Sequence, residues 1–359
     1  MKVAGYGTAG FAAIITLLLL FVISGNKSSL PGEGFIIRNM INSNGTLKTN
    51  LLPGESTDQD LARGEQSLSE SLGLWLLYWV ESGNQQRFDD NLMVLRRHFL
   101  NEGWIAWKAE AGVTTNALVD DLRAAEALYA AYDRWGETKY LQLANGIART
   151  LQENQYVDGS YRDFYDIEHN WTSPGLTLSY FNLNALRQMT EHSVIAEEQY
   201  REAMDFLRQL PVRGRFFPVY HDALQKEYRY ADEINLIDQL YIAYHRAQLG
   251  MDAEPLWTFI KEQFQQRGLL YGRYDAETEL PTVAYESPAV YGLAVWIALE
   301  QGEADFAREL YDRMVRLQSL SPFNRKSYGG YMNNNDTHIF DNLVPLLAER
   351  RMYNEGLLR

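Results

Sequence analysis

The chain has 359 residues, no cysteine and a formal net charge of −14 at neutral pH. The absence of cysteine excludes a disulfide framework, a thiol nucleophile, a thiolate metal site and a lipid anchor attached through cysteine. The acidic balance argues against nucleic-acid binding, because neutralising phosphates requires clustered Lys and Arg. Aromatic residues make up 13% of the chain. Such rings either pack in a core or stack against the faces of sugars.

The amino terminus predicts export. Lys2 is followed by an uncharged, largely apolar stretch over residues 3–26. This pattern is typical of a signal peptide or a membrane anchor rather than of a folded domain. Residues 27–34 contain Gly, Ser and Pro and indicate a flexible linker. We therefore expect residues 35–359 to form the functional domain, either secreted or held at the extracellular face of the membrane.

The remainder of the chain is dominated by helical periodicity. Leu68, Leu72, Trp75 and Trp79 fall on one stripe, and similar runs recur to the carboxyl terminus. The spacing predicts about twelve helices arranged as hairpins in an all-α toroid. In a toroid the inner helices run parallel, so that their amino ends meet at one mouth. We expect the six inner helices to start near Ser67, Val119, Leu176, Ile234, Ser287 and Asp336.

Acidic residues lie at three of these starts: Glu70, the pair Asp120–Asp121 and the pair Asp232–Glu233. Two carboxyl groups across a cleft can hydrolyse a glycosidic bond, one protonating the leaving oxygen and the other activating water. This chemistry needs neither a metal nor a cofactor, and we expect none. The six His residues show no i, i+4 pair that would indicate a metal site.

Each cluster also has a structural explanation. Ser67 and Glu70 have the spacing of a capping box. Acidic side chains in a first helical turn are favourable by themselves, because they interact with the helix dipole. What favours a functional role is that all three clusters are expected at the same mouth.

The acidic segments resemble those of glycoside hydrolase family 8, which are inverting enzymes built on an (α/α)6 barrel. Residues 69–75, Ser-Glu-Ser-Leu-Gly-Leu-Trp, are similar to the segment that holds the family's general acid. Residues 119–125 match the family's second acidic signature in part, and residues 230–235 resemble the segment that holds its base. The resemblance implies that Glu70 is the acid and Asp232 the base. It also implies that Asp120 or Asp121 holds the sugar ring where cleavage occurs.

Further segments, at residues 233–241, 285–288 and 328–331, resemble the PssZ-like branch of the family, which is associated with exopolysaccharide synthesis. The resemblance implies an enzyme that cleaves a bacterial exopolysaccharide, and we expect it to act as a monomer. Aromatic and amide side chains near the motifs are candidate substrate contacts, with core packing as the alternative for each ring: Trp107, Asn116, Tyr165, Tyr180, Tyr274 and Tyr285.

Two other functions stay open at the level of the sequence. A glycan-binding protein without activity, built on the same scaffold, would support exopolysaccharide synthesis without cleaving the polymer. A polysaccharide lyase or sugar epimerase would usually need a His or Tyr base, and no His lies in the three acidic motifs. For an inverting hydrolase, the carboxyl groups of the acid and the base are expected to stand about 6.5–9.5 Å apart.

Overall fold

A computed structural model of the chain describes residues 30–56 and 61–358. Twelve α-helices occur in this part: α1 Pro31–Asn39, α2 Ser69–Ser82, α3 Gln85–His98, α4 Leu118–Trp135, α5 Thr138–Asn154, α6 Leu183–Glu191, α7 Glu197–Arg208, α8 Leu236–Ala247, α9 Leu256–Arg267, α10 Pro288–Glu300, α11 Ala304–Met314 and α12 Phe340–Asn354. Two single-turn 3₁₀ helices occur at Leu178–Tyr180 and Val315–Leu317.

The helices form two concentric rings. The even-numbered helices build the inner ring, in which α2 packs on α4, α4 on α6, α8 on α10, α10 on α12 and α12 on α2. The 3₁₀ helix Leu178–Tyr180 packs against both α4 and α8 and completes the ring. Each odd-numbered helix packs outside an inner partner, and α1 covers α12. This is an (α/α)6 barrel, so the predicted fold class is confirmed.

Burial explains why the two rings differ in sequence. Ten of the thirteen residues of α10 are buried, because an inner helix is covered on every side. In contrast, α7 buries only Leu207 and exposes a charged outer face. Helix ends follow local signals: α2 stops at Gly83, which adopts φ +72°, a conformation that glycine reaches without steric cost.

The two kinds of connection differ strongly in length. Inner helices pass to outer helices through two to eight residues, whereas outer helices return to inner ones through 19 to 29 residues. All long connections therefore lie at the end of the barrel where the inner helices begin, which we call the mouth. The short strands all belong to these connections: β1 Leu100–Asn101, β2 Trp104–Ile105, β3 Tyr156–Val157, β4 Ser160–Tyr161, β5 Tyr165–Asp166, β6 Trp171–Thr172, β7 Gly175–Thr177, β8 Tyr220–Asp222, β9 Glu227–Arg229, β10 Glu233–Asn235 and β11 Arg273–Asp275.

The strands pair as antiparallel ribbons: β1 with β2, β3 with β4, β5 with β6, and β10 with β11, while β7, β8 and β9 form one three-stranded sheet. One expected helix start is wrong for this reason. Leu176 lies in β7 opposite His221, and α6 begins only at Leu183. The helix starts there because the side chain of Asn182 accepts a hydrogen bond from the amide of Ala185.

The amino-terminal prediction is partly outside the described residues. The expected leader over residues 1–26 lies there entirely. The expected linker over residues 27–34 is too long, because Leu30 is buried and α1 begins at Pro31, a residue suited to the first position of a helix. Within the described part of the chain, no helix is both long enough and apolar enough to cross a membrane.

Candidate active site

Glu70 lies at the mouth as the second residue of α2. The residue before the helix, Leu68, is extended and forms no side-chain cap. Ser67 donates instead to Thr46 Oγ1 at 2.7 Å, so the capping box is not formed. The carboxylate of Glu70 is half-buried and has no hydrogen bond or ion pair with any described residue. A free carboxylate in this position is available to a ligand.

Glu70 lines a cavity of about 740 Å³ that opens at the mouth. The starts of α8, α10 and α12 supply the other walls, including Asn235, Ser287 and Asp341. A cavity of this size is typical of a small-molecule or oligomer-binding site. Residues from four inner helices that are distant in sequence are therefore brought together around one space.

The other carboxylates of this cavity were not singled out in the sequence, and each has a partner. Glu286 accepts bonds from Arg313 and from the Tyr291 hydroxyl, both at 2.5 Å. Asp341 accepts from Ser287 Oγ at 2.9 Å. Asp336 accepts from the backbone amide of Leu52 at 2.9 Å. These bonds hold the loops and helix starts together and leave Glu70 as the carboxylate without a partner among the described lining residues. Their position next to inner helix starts is the signal that would have found them.

Asp120 lies beside Glu70, in the first turn of α4. Ser69 Oγ donates to Asp120 Oδ2 at 2.6 Å, and Arg123 Nη1 lies 3.6 Å from Oδ1. Burial and the negative charge of Glu70 raise the pKa of Asp120 to about 7, although Arg123 and Ser69 oppose the shift. Asp120 Oδ1 has no hydrogen-bond donor within the described protein. The structure thus brings the predicted acid and one predicted ring-holding residue together.

Arg123 reaches this pair from inside the barrel. Its guanidinium also lies 3.4 Å from the hydroxyl of Tyr241, on α8. The arginine fits because residue 73 on α2 is glycine: a Cβ there would stand 3.2 Å from Cδ of Arg123. Arg123 was not singled out in the sequence as a candidate site residue.

Asp121 and Asn116 do not face the cavity, and their assignment as substrate contacts is wrong. Asp121 is fully buried and accepts a bond of 2.6 Å from Asn116 Nδ2. Asn116 also bonds to Gln155 Oε1 at 2.5 Å and accepts from the amide of Tyr165 at 2.8 Å. Burial raises the pKa of Asp121 well above its ordinary range. The pair ties two mouth connections together and is absent from the described lining of the cavity.

Tyr180 is half-buried, in the 3₁₀ helix that completes the inner ring. Burial raises its pKa, and the negative charges of Asp120, Glu70 and Asp238 add to the shift. Tyr180 lies outside the described lining of the cavity, and its role as a substrate contact stays a prediction.

Asp238 was not selected from the sequence, yet it belongs to the same group of acids. It is the third residue of α8, as Asp120 is of α4, and this shared position was the available signal. Ser179 Oγ donates to Asp238 at 3.2 Å. Burial raises the pKa of Asp238, and the hydrogen bonds from Ser179 and Asn235 oppose the shift.

Asp232 is not held at the cavity. Its side chain is 98% exposed and pairs with Arg213 at 3.2 Å. Strand β10 follows it, and Asn235 of that strand lines the cavity. Asp232 itself is absent from the described lining residues. Its position therefore gives the assignment as the base no support, and that assignment stays a prediction.

The predicted aromatic contacts divide in two. Tyr285 lines the cavity and is half-exposed, and its ring lies over Gly272, where a Cβ would stand 2.5 Å from Cε2. Tyr274 is fully buried and packs against Phe259, so its assignment as a contact is wrong.

Trp107 and Tyr165 are half-buried on mouth connections, outside the described cavity lining. The carbonyl of Trp107 accepts from the amide of Ser69 at 3.0 Å, and its ring lies 5.7 Å from Lys108 Nζ. Tyr165 donates from its hydroxyl to Asn170 at 2.8 Å. Among the described residues, no group of three or more His, Asp or Glu is placed to hold a metal ion.

Comparisons with known proteins agree with this architecture. A scan against models of known protein families finds no match. Three solved structures are similar to this chain over 89–90% of its length. An alpha-amylase from Clostridium perfringens has 24% identity, a TM-score of 0.81 and 96% of its own chain covered, and PssZ from Listeria monocytogenes has 24% identity, a TM-score of 0.72 and 97% covered. The family 8 endoglucanase Cel10 from Klebsiella pneumoniae has 15% identity, a TM-score of 0.56 and 99% covered. The fold is therefore that of the family 8 glycoside hydrolases and of PssZ.

A closer relative defines the sequence family. The putative lipoprotein YdaJ of Bacillus subtilis is 38% identical over 339 residues, which cover 93% of this chain and 90% of the relative. The chain belongs to the YdaJ family. The relative is described as a lipoprotein, whereas these 359 residues contain no cysteine to carry such a lipid.

Proposed function

We propose that the protein is a glycoside hydrolase that cleaves a bacterial exopolysaccharide with inversion at the anomeric carbon. One observation carries the proposal: Glu70, at the start of an inner helix, presents a carboxylate without a partner to a cavity of about 740 Å³. The glycoside hydrolase fold and the similarity to PssZ support the reaction class and the type of polymer.

In this proposal the protonated carboxyl of Glu70 donates its proton to the glycosidic oxygen. The bond between that oxygen and the anomeric carbon breaks, and a water attacks the carbon from the opposite face. A second carboxylate takes the proton of this water. Asp120 lies behind Glu70, where Ser69 and Arg123 keep its carboxylate in place, and its negative charge acts on the acid.

For the base we propose Asp238 in place of Asp232. Asp238 is half-buried in the first turn of α8, the position that Asp120 has in α4, and its negative charge, like that of Glu70, raises the pKa of Tyr180. Ser179 and Asn235 hold its carboxylate. Asp232, in contrast, is exposed to solvent and is paired with an arginine.

The proposed location is the extracellular face of the cell membrane. The apolar stretch over residues 3–26 supports export, and the name of the relative YdaJ, a putative lipoprotein, supports attachment to a membrane. An exported hydrolase would meet the polymer after its synthesis.

The test is the appearance of new reducing ends when the full chain is incubated with the exopolysaccharide that the producing cell makes. We expect Glu70→Gln to lower the rate at least about 10²-fold, which is the usual contribution of a general acid, with an unchanged melting temperature. Glu65→Gln is the matched control, because Glu65 lies just before the same helix with an exposed side chain paired to Lys48. An unchanged rate in Glu70→Gln would overturn the assignment.

A glycan-binding protein without activity is the alternative. It predicts that the chain retains the polymer in a binding assay and releases no reducing ends over any incubation time. The fold, which is that of the family 8 endoglucanase Cel10, favours the hydrolase.

A further inference from the structure

An exposed loop beside α1 has the composition of a membrane contact. The 320–326 loop, Leu-Ser-Pro-Phe-Asn-Arg-Lys, belongs to the connection between α11 and α12, and every one of its residues is exposed. Phe323 is 97% exposed, more than any other large hydrophobic residue described, and Leu320 is 45% exposed. Exposed apolar side chains at the tip of a loop are a common mark of an interaction site.

The tip is held in a defined shape. The amide of Asn324 bonds to the carbonyl of Ser321 at 3.1 Å, which closes a turn with Pro322 and Phe323 at its centre. Proline at this position pre-sets the turn, so Phe323 is presented to solvent at little entropic cost. The loop is also fixed to α1: Gly329 adopts φ +92°, and a Cβ there would stand 2.0 Å from the carbonyl of Pro31.

The charge of this region is opposite to that of the protein. Residues 313–335 contain four basic residues and no acidic residue, in a chain of net charge −14. Arg325 and Lys326 form no ion pair with the described residues, and neither does Arg38, which donates to the carbonyl of Tyr328 on the same face. The exposed phenylalanine thus shares this region with three cations that have no acidic partner among the described residues. This combination suits the anionic surface of a bilayer.

The loop also lies close to the start of the described chain. Asn39, at the end of α1, donates to the carbonyl of Lys326, and Pro31, at its start, contacts Gly329. Helix α1 is about 13 Å long. Only residues 27–29 separate Leu30 from the apolar stretch over residues 3–26, and they span at most about 14 Å. If that stretch inserts in a membrane, the loop is held within reach of the lipid headgroups.

We propose that the 320–326 loop docks on the bilayer, with Phe323 entering the interface and Arg38, Arg325 and Lys326 contacting anionic headgroups. One aromatic side chain and three cations bind too weakly to recruit a free protein, but a tether makes the contact intramolecular. Helix α1 and the loop then form the face that rests on the membrane. The same connection supplies Leu317 and Tyr331 to the cavity wall, so docking fixes the mouth beside the membrane surface. The inference rests on the proposed membrane location and not on the proposed hydrolysis.

The absence of cysteine allows a direct test, because one introduced cysteine carries the only label. The full chain, with residues 1–29, is placed in nanodiscs of phosphatidylglycerol and phosphatidylcholine, and a nitroxide is attached at Asn324→Cys. The matched control is Gln225→Cys, which stands next to the exposed Leu224 in the turn between β8 and β9. The depth of each label is read from its collisions with oxygen and with a water-soluble nickel chelate.

We expect the label at 324 to be several-fold more accessible to oxygen than to the nickel chelate, and the label at 225 to show the reverse. Phe323→Ser, or Arg325→Gln with Lys326→Gln, should return the label at 324 to water, as should nanodiscs of phosphatidylcholine alone. Equal exposure of both labels to the chelate in anionic nanodiscs would overturn the inference. Immobilisation of the label at 324 by soluble dextran sulfate but not by nanodiscs would also overturn it, in favour of an acidic polymer. Neither readout depends on hydrolysis.

Discussion

The start of α2 and the ribbon before α8 both bring carboxylates to the mouth, but they leave them in opposite surroundings. Asp120 is buried against Ser69 and Arg123, and Glu70 beside it is half-buried at the cavity wall. Asp232 stands just before the β10–β11 ribbon, where its side chain is 98% exposed. The difference teaches that proximity to an inner helix start does not by itself hold a carboxylate at the cavity.

The reason is geometric. A side chain in the first turn of an inner helix is fixed in direction by the helix and its neighbours in the ring. A residue before the helix takes its direction from the local strand, in which neighbouring side chains alternate between faces. Asn235 of the ribbon lines the cavity. Asp238 lies in the first turn of α8, and its charge acts on Tyr180 as those of Glu70 and Asp120 do.

The sharpest test of this contrast is a pair of identical substitutions six residues apart. We expect Asp238→Asn to lower kcat at least about 10²-fold, because it removes the proposed base, and Asp232→Asn to change it less than about 3-fold. Reducing-end kinetics measure both, and melting temperatures establish that both variants fold. The reverse pattern would restore Asp232 as the base and break the comparison.

A second test concerns the buried carboxyl of Asp120 and the pH dependence of the free energy of unfolding. The pKa of Asp120 in the folded protein, about 7, lies above its ordinary value of 3.8, so the folded protein holds this proton more tightly than the unfolded chain. The stabilisation is complete below about pH 4 and is lost as the pH rises through 7. Asp120→Asn should therefore remove part of the fall in unfolding free energy between pH 4 and 7, on the order of 1–4 kcal/mol.

Urea unfolding of the wild type and of Asp120→Asn across this pH range measures the difference. Asp133→Asn is the matched control, since Asp133 is exposed on the same helix. A pH dependence that is the same in Asp120→Asn as in the wild type would show that Asp120 ionises freely in the fold.

The smallest effect is expected from a substitution of Tyr285, near the β10–β11 ribbon. Tyr285 lies over Gly272, next to β11, and is half-exposed to the cavity. We expect Tyr285→Ala to raise KM about 3–10-fold with little change in kcat, as for the loss of one stacked ring. Tyr353→Ala, at the far end of α12, should leave KM unchanged. A loss of kcat alone in Tyr285→Ala would give this residue a part in the reaction instead.

Several parts of the fold could be predicted from the sequence. The apolar stripe from Leu68 to Trp79 predicted α2, and the starts expected near Val119 and Ser287 fall within one residue of α4 and α10. These two starts could be predicted because the apolar periodicity of each helix is carried by residues that are close together in the sequence. The start expected near Leu176 failed because that residue is held by strand β8, which lies more than forty residues later in the chain.

The sequence by itself determined the all-α barrel and the acidic residues at its helix starts, Glu70 among them, because helical periodicity and first-turn positions are properties of neighbouring residues. Only the tertiary structure decided between Asp120 and Asp121: adjacent residues on a helix point about 100° apart, and the packing of the ring directs one to Glu70 and the other to Asn116. It also left Asp232 exposed and paired with Arg213, whereas Asp238 is half-buried in the first turn of α8. Direction and burial depend on contacts between distant segments, which no local pattern records.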